Sequence, residues 1–345
     1  MPSASEAIAA QLAAGPVRIE GAGTKDWGRP IDAPVLRTAP LDDFRHDAGD
    51  FTAVIGAGVS LASAQSTLAE YEQMLALDPP GDATVGGVFA TGDSGPLRHR
   101  YGAPRDLIIG ATLALSDGTL ARSGGRVIKN VAGYDLPKLA AGSFGTLGVI
   151  TEVCVRLHPK PSGKATTVFE SDDPATLQKL AVDLAGRPLE AESLDIRWGP
   201  EGGSVLARFG GSRATERAAA LDGTVVEDDD ALWEAQRTGQ RGALVVRVAG
   251  LPTSLALVLE TARELGATAV GRAGVGTTWL TLPPGTDIAA LRARLPHPVV
   301  LTDAPAEVRA AIDPWGIPDG PELDLMRRVK QRFDPARHCN PGVFL

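Results

Sequence analysis

Apolar and polar positions change rhythm several times along the chain, and each change marks an element. From Ser5 to Ala14 the apolar residues recur at helical spacing, which predicts a short helix; Val17 to Glu20 then reads as a strand entering the tight turn Gly21-Ala22-Gly23-Thr24. Phe51 to Ile55 reads as a second strand, and Ser60 is a suitable N-cap for a helix through Met74 with Leu61, Ala64, Leu68 and Tyr71 on one face. The run LALDPPGDATVGGVFATGDSGP follows. Its glycines and prolines predict a long loop with little regular structure, and such a loop inside a compact domain usually serves a function. Leu107 to Leu115 reads as a buried strand, Ser116 to Thr119 as a hairpin turn, and Leu120 to Arg122 as the start of the return. Gly133, Gly142, Gly145 and Gly148 then precede a stretch in which Val149, Thr151, Val153 and Val155 alternate with Ile150, Glu152, Cys154 and Arg156, a strand pattern.

Beyond the connection from His158 to Lys164 the glycine loops thin out and a regular order sets in. Lys164 to Glu170, Ser193 to Trp198 and Ser204 to Phe209 read as strands, with helices at Pro174 to Ala185 and Ala214 to Leu221. The order recurs with strands at Ala243 to Val248, Thr268 to Arg272 and Thr277 to Leu282 and helices at Thr253 to Leu265 and Asp287 to Arg294. Two rounds of βαββα predict an antiparallel sheet with helices on one face, a duplicated ferredoxin-like unit. A helix from Pro321 to Phe333, an Asp-Pro turn and Asn340-Pro341-Gly342 end the chain. The expected class is α+β, in three parts: a first domain over residues 1–160, a second over 161–303, and a segment 304–345 that returns to the first.

Composition narrows the function. At 345 residues the chain is too long for one ordinary core, and 43% hydrophobic with 22% charged residues excludes disordered and fibrous classes. Forty glycines, many of them early, point to a ligand site built from loops. The net charge of −8, without a basic cluster carrying aromatics, argues against nucleic acid. Cys154 and Cys339 stand alone, which suits a reducing compartment. No secretory leader pattern opens the sequence and no segment reaches the length of a membrane span. A cytoplasmic location is expected, with peripheral docking on the inner face of a membrane through a partner complex left open.

Each of the first two strands runs into Gly-x-Gly, but Asp26 and Leu61 stand where the dinucleotide fingerprint needs its third glycine, so a Rossmann site is not indicated. Gly-rich loops can instead neutralise a diphosphate with successive backbone N–H groups. Gly21 to Thr24 and Thr84 to Gly87 offer such groups, and Gly145, Thr146 and Gly148 allow a flat ring to approach backbone.

Four segments in this order resemble flavoproteins of the vanillyl-alcohol oxidase type, which hold FAD in a PCMH-type domain of two small sheets. They are Ile19-Glu20-Gly21-Ala22-Gly23-Thr24, Ala83-Thr84-Val85-Gly86-Gly87 with Ala90, Gly142-Ser143-Phe144-Gly145-Thr146-Leu147-Gly148-Val149-Ile150-Thr151, and Asp334-Pro335 with Asn340-Pro341-Gly342. Lys129-Asn130-Val131-Ala132-Gly133-Tyr134-Asp135-Leu136 after Gly124-Gly125 is similar to the FAD-binding subunits of bacterial glycolate oxidase. The resemblance implies a two-subdomain FAD domain followed by a ferredoxin-like cap, and a cofactor held by these segments together with Lys25, Pro79, Lys129, Asn130, Gly133, Asp135 and Asn340. It further implies oxidation of glycolate or a similar 2-hydroxy acid such as lactate, beside a homologous flavoprotein subunit and an iron-sulfur subunit. Some such flavoproteins tether FAD through a His in the first loop or a Cys in the second; neither is present here, so FAD is expected to bind non-covalently.

Other residues admit two readings. Relatives acting on 2-hydroxy acids often carry a His cluster for a metal, but His46, His99, His158, His297 and His338 are scattered without ligand spacing, so no metal site is expected. Arg197, Arg208 and Arg247 are either a clamp on a substrate carboxylate or a solvated strand face. Trp198 and Trp279 read as core, and Cys154 as a core thiol. No catalytic base is evident, which keeps open an FAD-holding relay or assembly subunit without turnover of its own.

Overall fold

The computed structural model describes residues 2–125 and 134–344. The helix Ala4–Ala14 opens on a capping box in which Ser3 and Glu6 each accept the other's backbone N–H, and it buries Ile8, Ala9 and Leu12. Strand β1 (Arg18–Glu20) pairs in parallel with β2 (Val35–Arg37). Strands β3 (Phe44–Asp47) and β4 (Thr52–Gly56) follow, then the helix Leu61–Ala69 capped by Ser60. That helix stops short of Met74 because Glu72 turns through φ 54° and sends Gln73–Met74, strand β5, into a separate pairing. Strands β6 (Ile108–Ala114), β7 (Leu120–Gly124) and β8 (Val149–Arg156) complete a five-stranded antiparallel sheet in the order β3-β4-β8-β6-β7, and β9 (His158–Pro159) pairs with β5. As the central strand, β8 is covered on both sides: Val149, Val153 and Val155 are buried, and so are Ile150, Thr151 and Cys154.

The long loop expected to lack regular structure contains a helix, Val85–Thr91. Thr84 caps it by accepting from the Gly87 N–H at 3.2 Å, Gly92 ends it at φ 66°, and Val85, Val88 and Phe89 bury one face. Two glycines each cost such a helix about 1 kcal/mol relative to alanine, which is why the sequence does not advertise it. Gly86 is needed for close packing: a Cβ there would stand 2.5 Å from the Ala57 Cβ and 2.8 Å from the Ala57 carbonyl oxygen.

The second sheet has eight strands: β10 (Lys164–Ser171), β11 (Ser193–Gly199), β12 (Gly202–Gly210), β13 (Thr224–Val226), β14 (Val245–Ala249), β15 (Thr268–Arg272), β16 (Thr277–Thr281) and β17 (Val299–Asp303). Their order is β13-β10-β12-β11-β15-β16-β14-β17. Each round is therefore a full βαββαβ unit, and the two units join edge to edge where Ile196 pairs with Gly271. The short closing strands β13 and β17 are what the βαββα reading lacked. Helices Pro174–Gly186, Ala214–Ala219, Leu255–Leu265 and Ile288–Arg294 cover one face over a core that includes Leu177, Ala218, Leu259 and Leu291. The opposite face presents Arg247, Trp279 and Val270 in one cross-strand row. The helix Pro321–Phe333 leads back to the start of β1, where Val17 donates to the His338 carbonyl at 2.9 Å and Asn340 to the Val17 carbonyl at 3.2 Å.

Candidate functional site

A cleft of about 280 Å³ opens where β1, the helix Val85–Thr91, the turn before β8 and the C-terminal Asn340 meet. Its walls are largely backbone. Gly21 lies so close to Thr84 that a Cβ would overlap Thr84 Oγ1 and sit 3.3 Å from Thr84 Cβ. The first loop and the helix cap therefore pack as one surface.

The turn from Gly142 to Gly148 is fixed from three sides. Gly142 and Phe144 donate to the Phe89 and Ala90 carbonyls at 2.9 and 2.8 Å, anchoring the turn to the end of the helix. Phe144 at φ 54° and Gly145 at φ 68° hold the left-handed backbone this requires. Asn340 joins it to β1: its Oδ1 accepts from Ile19 N–H and its Nδ2 donates to the Phe144 carbonyl, both at 2.7 Å. Lys330 Nζ donates to the Thr146 and Cys339 carbonyls at 2.7 and 2.9 Å and pairs with buried Asp334. Asp334 also accepts the His338 and Cys339 N–H groups, both at 2.9 Å. Burial works against its charge, but Lys330 and these two donors outweigh burial and hold its carboxyl below the ordinary range.

At the end facing the second sheet the cleft becomes cationic. Lys25 lines it with a nearly buried side chain, and Lys25 Nζ has no hydrogen bond among the described residues. Asp93, itself buried, lies 3.5 Å from that nitrogen but gives its shorter contact, 2.6 Å, to Arg241. Burial lowers the Lys25 pKa, with Asp93 opposing and Arg241 reinforcing. Arg241 stands 4.7 Å over the Trp27 ring, and Trp27 Nε1 donates to Asp303 Oδ1 at 3.0 Å. Arg98 and Arg247 have no ion pair among the described residues; burial lowers the pKa of both, and Arg98 further lowers that of Arg247. Arg241 and Arg247 stand near Asp93, Asp303 adds to its charge at Lys25, and Arg98 beside Arg247 has Asp106 opposite it; in this poorly solvated place an arginine without an ion pair favours an anion.

Of the residues named from sequence, Gly21, Ala22, Gly23, Thr24, Lys25, Thr84, Gly86, Gly87, Ala90, Gly145, Gly148, Ile150 and Asn340 line this cleft. Pro79, Val85, Gly142 and Thr146 do not: Val85 is core, and Gly142 and Thr146 shape the turn. Asp135 is exposed and pairs with Lys138 at 2.7 Å, away from the lining. Lys129, Asn130 and Gly133 lie outside the described residues. Arg208 is occupied by buried Asp229 through two hydrogen bonds at 3.0 and 2.8 Å, so it is a structural ion pair. Trp198 packs in the core under the helices, whereas Trp279 lies on the opposite sheet face beside Arg247 and packs with Val245 and Val270. Phe144, quoted within the third segment, lines the cleft, whereas sequence reasoning missed Arg18, Asp26 and Trp27 in the lining and the Asp93–Arg241 bridge behind it. These three lie beside the first quoted segment and were within reach; the bridge joins residues 148 apart and has no local signal. Among the described residues no three His, Cys, Asp or Glu side chains stand together as a metal would need, and no helix is long and apolar enough to cross a membrane.

These features fit a dinucleotide carrying a diphosphate: glycine backbone where a Cβ would intrude, and at one end a buried amine with no hydrogen bond among the described residues. Residues 4–124 match the family described as FAD binding domain. The glycolate oxidase subunit GlcE of Escherichia coli (strain K12) is 36% identical over 151 residues, covering 42% of this chain and 43% of that protein. A D-lactate dehydrogenase of Archaeoglobus fulgidus is 36% identical over 170 residues, 46% of this chain and 38% of that protein. The chain thus spans less than half the length of these relatives. Among solved structures an alkyldihydroxyacetonephosphate synthase superposes with a TM-score of 0.67 at 15% identity, over 99% of this chain and 76% of that one, a likeness of fold.

Proposed function

We propose that this chain, a PCMH-type FAD-binding flavoprotein related to glycolate oxidase subunits and D-lactate dehydrogenases, is an oxidoreductase of a small 2-hydroxy acid. Glycolate or lactate is oxidised to the 2-oxo acid, glycolate giving glyoxylate. FAD, bound non-covalently, would supply the redox chemistry by serving as the hydride acceptor. Gly21 to Thr24, Thr84, Gly86, Gly87, Gly145, Gly148 and Asn340 hold it through backbone and amide groups. Arg247 of the cap and Arg98 of the FAD domain, neither in an ion pair among the described residues, would offer the substrate carboxylate its counter-charge from behind the cleft lining. Electrons leave to a partner complex, a homologous flavoprotein subunit with an iron-sulfur subunit, in the cytoplasm or docked on the inner membrane face. The residues divide as a FAD domain 1–160, a cap 161–303 and a returning segment 304–345.

The observation that supports this reading most is the cleft itself, in which the four segments of the resemblance converge, with the Asp93–Arg241 pair behind its Lys25 wall. One feature favours a second reading, an FAD-holding relay or assembly subunit with no turnover of its own: none of the five His lines the cleft. Anaerobic mixing of the FAD-loaded chain with glycolate, D-lactate and L-lactate separates the two. Bleaching of the flavin absorbance is expected for at least one acid; a flavin that stays oxidised with all of them refutes direct oxidation.

A further inference from the structure

Oxidising an alcohol to a carbonyl removes a hydride from carbon and a proton from oxygen, and the proton needs an acceptor. The cleft lining offers three side chains of suitable type: Glu20, Asp26 and Lys25. Glu20 is held by Arg18 at 3.0 Å and Arg37 at 2.6 Å. Asp26 is held by Arg309 at 2.5 Å and is otherwise exposed. Lys25 differs from both. Its side chain is 5% exposed, its Nζ makes no hydrogen bond among the described residues, and Asp93, the carboxylate within reach at 3.5 Å, is taken at 2.6 Å by Arg241. An ammonium in that position leaves donors unsatisfied away from water, a cost that a neutral amine in the cleft wall largely avoids.

We propose that Lys25 is the catalytic base of this chain and that Asp93 and Arg241 are its positioning residues, an inference that rests on the 2-hydroxy acid reading above. The Lys25 Nζ lone pair takes the substrate hydroxyl proton as the C–H bond breaks, the hydride passes to FAD, and the C–O bond becomes C=O. Two electrons leave the alcohol and are accepted by FAD; the proton remains on Lys25. The ammonium so formed lies within ion-pair distance of Asp93, which limits the cost of carrying the charge. Burial is the largest influence lowering the Lys25 pKa and so favouring the neutral amine; Arg241 adds to it, while Asp93 and, more weakly, Asp303 oppose.

The test uses the full FAD-loaded chain, anaerobic rapid mixing with the acid that bleaches wild type, and Lys25→Met, Lys25→Arg and Lys25→Ala. Flavin absorbance per protein checks FAD loading in each. Loss of a general base is expected to slow bleaching by about 100-fold or more in Lys25→Met and to remove the rise of rate with pH. Added ethylamine and weaker primary amines should restore Lys25→Ala in proportion to their basicity, which a merely structural lysine would not show. A readout independent of turnover is the pH midpoint of Lys25 labelling by trinitrobenzenesulfonate in the FAD-free chain, read by peptide mass spectrometry. It is expected below the ordinary lysine value of 10.5, and a midpoint at or above that value overturns the proposal. Wild-type bleaching with Lys25→Met or Lys25→Arg within threefold of it also overturns the role of Lys25 while the 2-hydroxy acid reading stands. Wild type that no 2-hydroxy acid bleaches overturns both.

Discussion

Gly21→Ala addresses the tightest joint of the cleft. The new Cβ overlaps Thr84 Oγ1 and stands 3.3 and 3.4 Å from Thr84 Cβ and Cγ2. Thr84 cannot turn away freely, because its hydroxyl accepts the Gly87 N–H at 3.2 Å and caps the helix Val85–Thr91. Relief comes from displacing the first loop, at about 1–3 kcal/mol for an overpacked site, or from giving up the cap, at about 1 kcal/mol. Both loops line the cleft, so a loss of ~1.4 kcal/mol in the FAD-bound form corresponds to about tenfold weaker FAD. Thr84→Ala alone should cost about the cap. The double variant Gly21→Ala/Thr84→Ala should cost little more than Thr84→Ala, since the overlapping oxygen is gone, giving a coupling of at least ~1 kcal/mol. Urea unfolding of the FAD-free chain and titration of flavin fluorescence measure the two quantities. Strictly additive effects of the two substitutions in both assays would refute the claim that this contact sets the spacing of the loops.

Three further outcomes follow from buried charges. Lys330→Met strips Asp334 of its cation and frees the Thr146 and Cys339 carbonyls; a loss of about 3–5 kcal/mol is expected from leaving one partner of a buried pair, read by urea unfolding, and a loss under 1 kcal/mol contradicts the role given to Lys330. Arg208→Met should destabilise to a similar degree through Asp229, yet leave FAD affinity within twofold; a large change in affinity would place Arg208 in the site after all. Asp78 is pushed up to about 7 by burial, against Arg272, the Leu97 N–H and Arg237. The folded state then keeps a proton that the unfolded chain releases above its ordinary pKa of 3.8, so this group removes stability as pH rises from about 4 to 7. Asp78→Asn should gain on wild type in melting temperature between pH 5 and pH 7, by about 2–4 °C per kcal/mol of linked stability; parallel curves would show that Asp78 does not titrate there.

Much of this protein is written in local sequence. Helical spacing and capping residues set the helices Ala4–Ala14, Leu61–Ala69 and Pro321–Phe333, alternation marked most of the strands, and the glycine-rich segments located the cleft because only glycine tolerates backbone packed that closely. The helix Val85–Thr91 escaped because propensity penalises its glycines, and only the contact of Gly86 with Ala57 explains them. Strands β13 and β17 escaped because a short edge strand carries little pattern of its own and is defined by its neighbour. The charge balance of the site was decided by the tertiary structure alone. Nothing near Lys25 in the sequence indicates that its nitrogen has no hydrogen bond among the described residues, that Asp93 is drawn to Arg241, or that Arg208 and Arg247, alike as strand arginines, differ in that Arg208 has an ion pair and Arg247 has none among the described residues. Periodicity records which face of an element is buried; which charges meet across that burial depends on how the two sheets are brought together.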